Sequence, residues 1–122
     1  MLHTAAGLTG IFVLCACAST PPAPNANLQE ARHAIGAAEQ AEAGRYAPNE
    51  LRAARANLAA ADAAVRAQNM ATAQRLADES TADAELATAR TADVMANSVN
   101  SEMKRSTATL TNEMRRSSGD PQ

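Results

Sequence analysis

Cys15 and Cys17 are the residues of this chain best equipped for covalent chemistry, and no other cysteine occurs in its 122 residues. A thiol can be oxidised to a disulfide, can ligate a metal, or can attack an electrophile that then stays attached. A Cys15–Cys17 bridge is geometrically awkward, because partners two residues apart along one chain cannot easily reach disulfide geometry. Metal ligation fares no better. A zinc site needs about three or four ligands, and downstream of Cys17 the chain offers His33 as its one histidine. The acids Asp78, Glu79, Asp83 and Glu85 are close in sequence, but they fall on the solvated side of an expected helix. No Gly-rich phosphate loop, Gly-x-Ser-x-Gly turn or histidine-based triad occurs. The expectation is therefore no catalytic residue, no metal and no cofactor, with covalent modification of a cysteine as the remaining chemistry.

The surroundings of Cys17 say which modification. Ala5 to Leu14 is an apolar run, shorter than the roughly 20 residues a membrane-spanning helix needs. Leu14, Cys15 and Ala16 follow on to Cys17, so a small residue stands directly before the thiol. This arrangement resembles the bacterial lipobox, at which a cysteine is diacylated and the chain is then cut just before it. Cys15 is the poorer candidate, because Phe12-Val13-Leu14 places no small residue beside the cut. The amino-terminal region departs from the pattern: it has only His3 and the α-amino group where Lys or Arg is usual. The resemblance implies a signal peptide over residues 1–16, lipidation by palmitate-type chains at Cys17, and a membrane held through that lipid. Ala18 and Ser19, rather than Asp, imply sorting to the periplasmic face of the outer membrane.

Residues 17–27 continue as a tether. Pro21, Pro22 and Pro24 remove backbone donors and favour polyproline II at about 3.1 Å per residue, which would hold a body roughly 30 Å off the bilayer. Beyond it, alanine dominates. About a quarter of all positions are Ala, Trp is absent, and Tyr and Phe occur once each. Alanine has the highest helix propensity but buries little area, so the chain reads as strongly helical and short of core. The formal net charge of −2 argues against nucleic acid and against an acidic substrate.

The fold class expected is all-α: an antiparallel helical hairpin or three-helix arrangement with a long, Ala-rich C-terminal helix. The helical domain spans residues 28–94, followed by a helical extension and disordered tail over 95–122. Helix one runs from Leu28 to Ala43, with Asn25 or Asn27 as N-cap and Gly44 as the left-handed C′ residue. Tyr46 packs over the turn as a small core plug, and Pro48 opens helix two near its first position. Leu51, Ala54, Leu58, Ala61 and Val65 then recur at alternating spacings of three and four, a seam one side chain wide. Asn69 takes the left-handed conformation that closes helix two. Helix three starts near Ala71 and presents Ala73, Ala77, Ser80, Ala84, Ala87, Thr91 and Val94, flanked by Leu76 and Leu86. Small residues facing one another let the two helices approach toward the short end of the usual separation, about 8–10 Å. Asn97, Ser98, Asn100 and Ser101 weaken the helix. It can nonetheless resume, since Val99, Met103, Ser106, Leu110 and Met114 form a further stripe; with no partner in this chain long enough to cover it, that segment is an exposed rod, a frayed end or an oligomerisation seam.

Several of these pieces resemble a known family. Ala34-Ile35-Gly36-Ala37-Ala38-Glu39, Tyr46-Ala47-Pro48-Asn49-Glu50-Leu51, Ala54 through Ala61, Leu76-Ala77-Asp78-Glu79 and Ala82 through Ala87 are similar to an alanine-rich bacterial envelope lipoprotein domain of unknown function. That domain is often found N-terminal to an OmpA-like peptidoglycan-binding domain, which does not follow in this sequence up to Gln122. The family lends no catalytic residue. A looser resemblance is to alanine-zipper murein lipoproteins, trimeric rods tied to peptidoglycan by a C-terminal lysine. Here the one lysine is Lys104, well inside the chain, and Gly44 and Pro48 interrupt the rod.

The resemblance implies a lipid-anchored protein with a structural or interaction role in the cell envelope, working through an envelope protein partner or a homo-oligomer. An alternative is a peptidoglycan-associated module or activator of an envelope hydrolase, suggested by Lys104, Arg105, Arg115 and Arg116.

Overall fold

The structure is a computed structural model that describes residues 22–119, so Leu14, Cys15, Ala16 and Cys17 lie outside the described residues. Four helices follow in order: α1 (Asn25–Gln40), the single turn α2 (Ala43–Tyr46), α3 (Pro48–Arg66) and α4 (Met70–Ser118). The described residues form no strand, so the fold is all-α with a long C-terminal helix. α4 packs against both α1 and α3, and the contact between α1 and α3 is the smaller one.

Side-chain pairs fix the directions. Arg32 reaches Asp62 at 2.9 Å and Arg55 reaches Glu39 at 2.6 Å, so numbers rise on α1 as they fall on α3. Asn57 donates to Asp83 at 2.8 Å, and Arg90 pairs with Glu50, which makes α3 and α4 antiparallel as well. α1 therefore runs parallel to the first half of α4, and Asn27 donates to Asp78 at 2.6 Å between them. Exposed pairs of this kind contribute about 0–1 kcal/mol each, so they select register more than they stabilise.

The core consists of methyl groups. Leu28, Ile35 and Leu51 are the large buried apolar side chains, surrounded by Ala31, Ala38, Ala43, Ala47, Ala54, Ala61, Ala64, Ala73, Ala77, Ala84 and Ala87. Among fully buried side chains the bulkiest are Thr91 and Ser80, a measure of how thin the interface is. Two clusters result. One gathers Ile35, Ala38, Ala43, Ala47, Leu51, Ala54, Ala84 and Ala87; the other gathers Leu28, Ala61 and Ala77. Half-buried Leu58 packs against both and joins them.

The helix ends differ from the sequence reading in instructive ways. α1 starts at Asn25, three residues before Leu28, and neither Asn25 nor Asn27 caps it. Pro24 occupies the cap, and its carbonyl accepts from Leu28 N at 3.1 Å. Asn27 is committed elsewhere, to Asp78. The left-handed residue after α1 is Glu42, with φ 64°, and not Gly44. Ending the helix there turns Ala43 and Ala47 into the core, where both are buried. A turn at Gly44 would rotate them out. Tyr46 is half-buried under the Arg45 guanidinium, 5.1 Å from its ring centroid, while Ala43 and Ala47 fill the corner in its place.

After α3 the left-handed residue is Gln68, φ 58°, rather than Asn69. Gln68 N bonds Val65 O and Asn69 N bonds Ala64 O, both at 2.9 Å, a Schellman closure. Asn69 then caps α4, its side-chain oxygen accepting from Thr72 N at 3.2 Å. A residue with a Cβ costs about 1–2 kcal/mol in the left-handed region, and glycine avoids most of it. Glu42→Gly is therefore expected to raise stability by about 0.5–1 kcal/mol. Gly44→Ala is expected to be neutral, since its new Cβ would meet only Leu51 Cδ2 at 3.9 Å. Urea midpoints of the two variants check this ordering, which is the reverse of what the sequence alone suggests.

α4 is the expected long C-terminal helix, and it is more continuous than its composition suggests. It continues unbroken for 49 residues through Asn97–Ser101, where weakening was expected. A helix already nucleated by the body gains one hydrogen bond for each residue added, whereas Asn and Ser cost only a few tenths of a kcal/mol each. Ser101 Oγ also bonds Asn97 O at 2.8 Å, so its hydroxyl is satisfied within the helix.

Candidate functional site

The structure offers two features that can act on another molecule: the seam that holds the hairpin together and the apolar face α4 carries beyond it. In the seam, Leu51, Ala54 and Ala61 are buried, while Leu58 and Val65 are half-buried at its edge. Ala64 takes the inner place near the turn, where its carbonyl receives Asn69 N. Opposite, Ala73, Ala77, Ser80, Ala84, Ala87 and Thr91 are all buried. Ser80 Oγ donates to Ala54 O at 2.8 Å across the seam, which only a close approach of two backbones allows. Thr91 returns its hydroxyl to Ala87 O within α4. Every described buried side-chain polar atom has a partner, so this seam is a finished internal contact rather than an open site.

The line of burial stops at Thr91. Val94, placed at the end of that line by its spacing, is 43% exposed, and Leu86 is 44% exposed on the flank. From there α4 projects away from the bundle: Met95, Val99, Met103, Leu110 and Met114 are exposed, Met114 at 69%. At about 100° per residue, this stripe is rotated by roughly a quarter turn from the buried face.

The same quarter-turned face continues backward into a groove. Thr81, Glu85, Thr88 and Ala92 of α4 line an open depression of about 450 Å³ with His33 and Ala37 of α1. A neighbouring depression shares Thr88 and Ala92 and extends to Met95. Groove and stripe thus form one track along α4. His33 and Glu85 share the groove, yet among the described residues no three His, Cys, Asp or Glu side chains come together as a metal site. Asp78 and Asp83 accept hydrogen bonds from α1 and α3 and so set register; Glu79 pairs with Arg75 on the surface.

Residues 26–102 match the family described as a domain of unknown function, DUF4398. The chain belongs to that family. The match covers α1, α2, α3 and α4 as far as Glu102, somewhat wider than the Ala31–Ala92 stretch that carries the resemblance in the sequence. No curated protein and no solved structure matches the chain. The DUF4398 region contains the whole buried core and the groove, whereas most of the exposed tail lies beyond it.

That tail holds a regularity that hydrophobic spacing alone does not reveal. Val99–Thr107 reads VNSEMKRST and Leu110–Ser118 reads LTNEMRRSS, an 11-residue repeat. A search for spacings of three and four finds the apolar members but passes over the repeated charges; aligning the tail with itself reveals both.

Proposed function

We propose that this DUF4398 protein is an outer-membrane-anchored lipoprotein of the bacterial envelope that works by contact and catalyses nothing. The observation that carries the reading is the Leu14-Cys15-Ala16-Cys17 arrangement, a thiol behind an apolar run and ahead of a proline tether. The start of α1 at Asn25 supports it, because seven residues, Ala18–Pro24, then separate the lipidated position from the body. Fully extended, they span roughly 20 Å, somewhat less than the tether first suggests. No helix among the described residues is long and apolar enough to cross a membrane, so a span through α1–α4 is not what would hold this protein at one. The partner side of the reading is supported by the exposed apolar residues of α4, a patch a soluble monomer ordinarily keeps small.

In fractionated cells the native protein is expected to band with outer membrane on a density gradient and to stay there through a high-salt wash. Recovery in the soluble periplasm would overturn the anchor. A second reading, contact with the cell wall, draws on Lys104, Arg105, Arg115 and Arg116, all exposed on the tail. Retention of the protein by purified peptidoglycan sacculi would favour it.

A further inference from the structure

From the tail of α4 we infer that the chain pairs with a second copy of itself, parallel and in register over Val99–Ser118. The tail carries an 11-residue repeat. Eleven residues make just over three helical turns, so the stripe of Val99, Met103, Leu110 and Met114 runs nearly straight along the helix. The surface repeats with it. One depression is lined by Asn100, Met103, Lys104 and Thr107, and another by their equivalents Thr111, Met114, Arg115 and Ser118. Beside the first of these, Val99, Glu102, Met103, Ser106 and Leu110 frame a hollow of about 300 Å³ on the stripe itself. A partner helix with apolar side chains eleven residues apart would seat one in each repeat. This chain is itself such a helix, so the surface is complementary to a copy of itself.

Charge chooses the orientation. Glu102 and Glu113 lie on one flank of the stripe, while Lys104 and Arg115 lie on the other. In a parallel pair related by a two-fold axis along the helices, the acidic flank of one copy faces the basic flank of its partner. In an antiparallel pair like flanks face each other, acid to acid and base to base. Arg105 and Arg116 lie about 60° further round the helix than these glutamates, away from the stripe. Their pairs with Glu102 and Glu113, at 3.4 and 3.0 Å, are exposed and contribute little, so each glutamate can turn to a base on the partner instead. Two chains anchored in one membrane would also emerge with the same polarity. That agreement leans on the proposed anchor, but the pairing itself does not depend on it.

The test is sedimentation equilibrium of the full-length chain in density-matched detergent. The wild type is expected to sediment as two chains. Glu102→Lys with Glu113→Lys sets like charges against each other and should weaken pairing by about tenfold or more. Adding Lys104→Glu and Arg115→Glu restores opposite charges across a parallel pair, and should recover most of that affinity. The four-fold variant still carries the two introduced lysines beside Arg105 and Arg116, so recovery reads pairing between copies and not relief of repulsion within one helix. A wild type that stays single at high concentration overturns the inference. So does a dimer indifferent to the first pair of substitutions, or one that the second pair fails to repair. Loss of the anchor leaves these outcomes unchanged, so the two readings fail separately.

Discussion

Leu58→Asp is expected to unfold the helical body. Leu58 is the side chain shared by the two core clusters, one centred on Ile35 and Leu51 and the other on Leu28 and Ala61. Truncation to alanine alone costs about 2–3 kcal/mol in lost apolar burial and cavity. Aspartate sets a carboxylate against the apolar side chains of both clusters, four residues before Asp62 on the same helix face, and the Arg32 guanidinium there is already engaged. The total penalty is of the order of 5 kcal/mol. A body of this size has on the order of 5–10 kcal/mol in all, and a core of methyl groups places it at the low end. Circular dichroism at 222 nm with thermal melting measures the effect: a lost cooperative transition is expected, with Leu58→Ala melting lower but still cooperatively. Native-like melting of the aspartate variant would remove Leu58 from its place between the clusters.

Cys17→Ser is expected to abolish membrane anchoring outright. Each buried CH₂ contributes about 0.8 kcal/mol, so a single acyl chain gives marginal, reversible binding while two or more hold the protein essentially permanently. On the proposed anchor, serine lacks the thiol that would receive the lipid, and the cut before position 17 would follow acylation. The variant should therefore lose incorporation of a fatty-acid probe to background and retain its first sixteen residues, running larger on a gel. Its α1–α4 body should stay folded, because Cys17 precedes the first helix by eight positions and the buried core is drawn from Leu28 onward. Labelling that persists in Cys17→Ser would mean that the lipid is elsewhere.

Much of the fold could be read from the residues. Alanine with leucine at alternating spacings of three and four marks Leu51, Ala54 and Ala61 as the inner face of α3. The matching small residues mark Ala73 to Thr91 on α4, and these are the buried positions. Local chemistry was less legible where tertiary packing overrides it. Gly44 is the better left-handed residue, yet Glu42 takes that conformation because the core needs Ala43 and Ala47 turned inward. Asn69 likewise gives way to Gln68 and caps the next helix instead. Asn97, Ser98, Asn100 and Ser101 read as a weak stretch of helix, but an established helix extends through weak formers at small cost. Val94 shows the limit of period counting: a repeat of 3.5 drifts against a helix of 3.6, so the last member of that line slides off the contact, whereas Val65 stays packed at the edge of the second cluster. The candidate interaction surface was half visible. Its apolar stripe was evident, but its repeated charges were not, because they carry no hydrophobic signal.

Mass spectrometry of the N-terminal peptide from protein purified out of its native membrane tests the account most directly. The mature chain should begin at Cys17 and carry the added mass of its acyl chains, with no peptide from residues 1–16. An unmodified peptide that includes Leu14-Cys15-Ala16-Cys17 intact would contradict the anchor and the envelope role built on it.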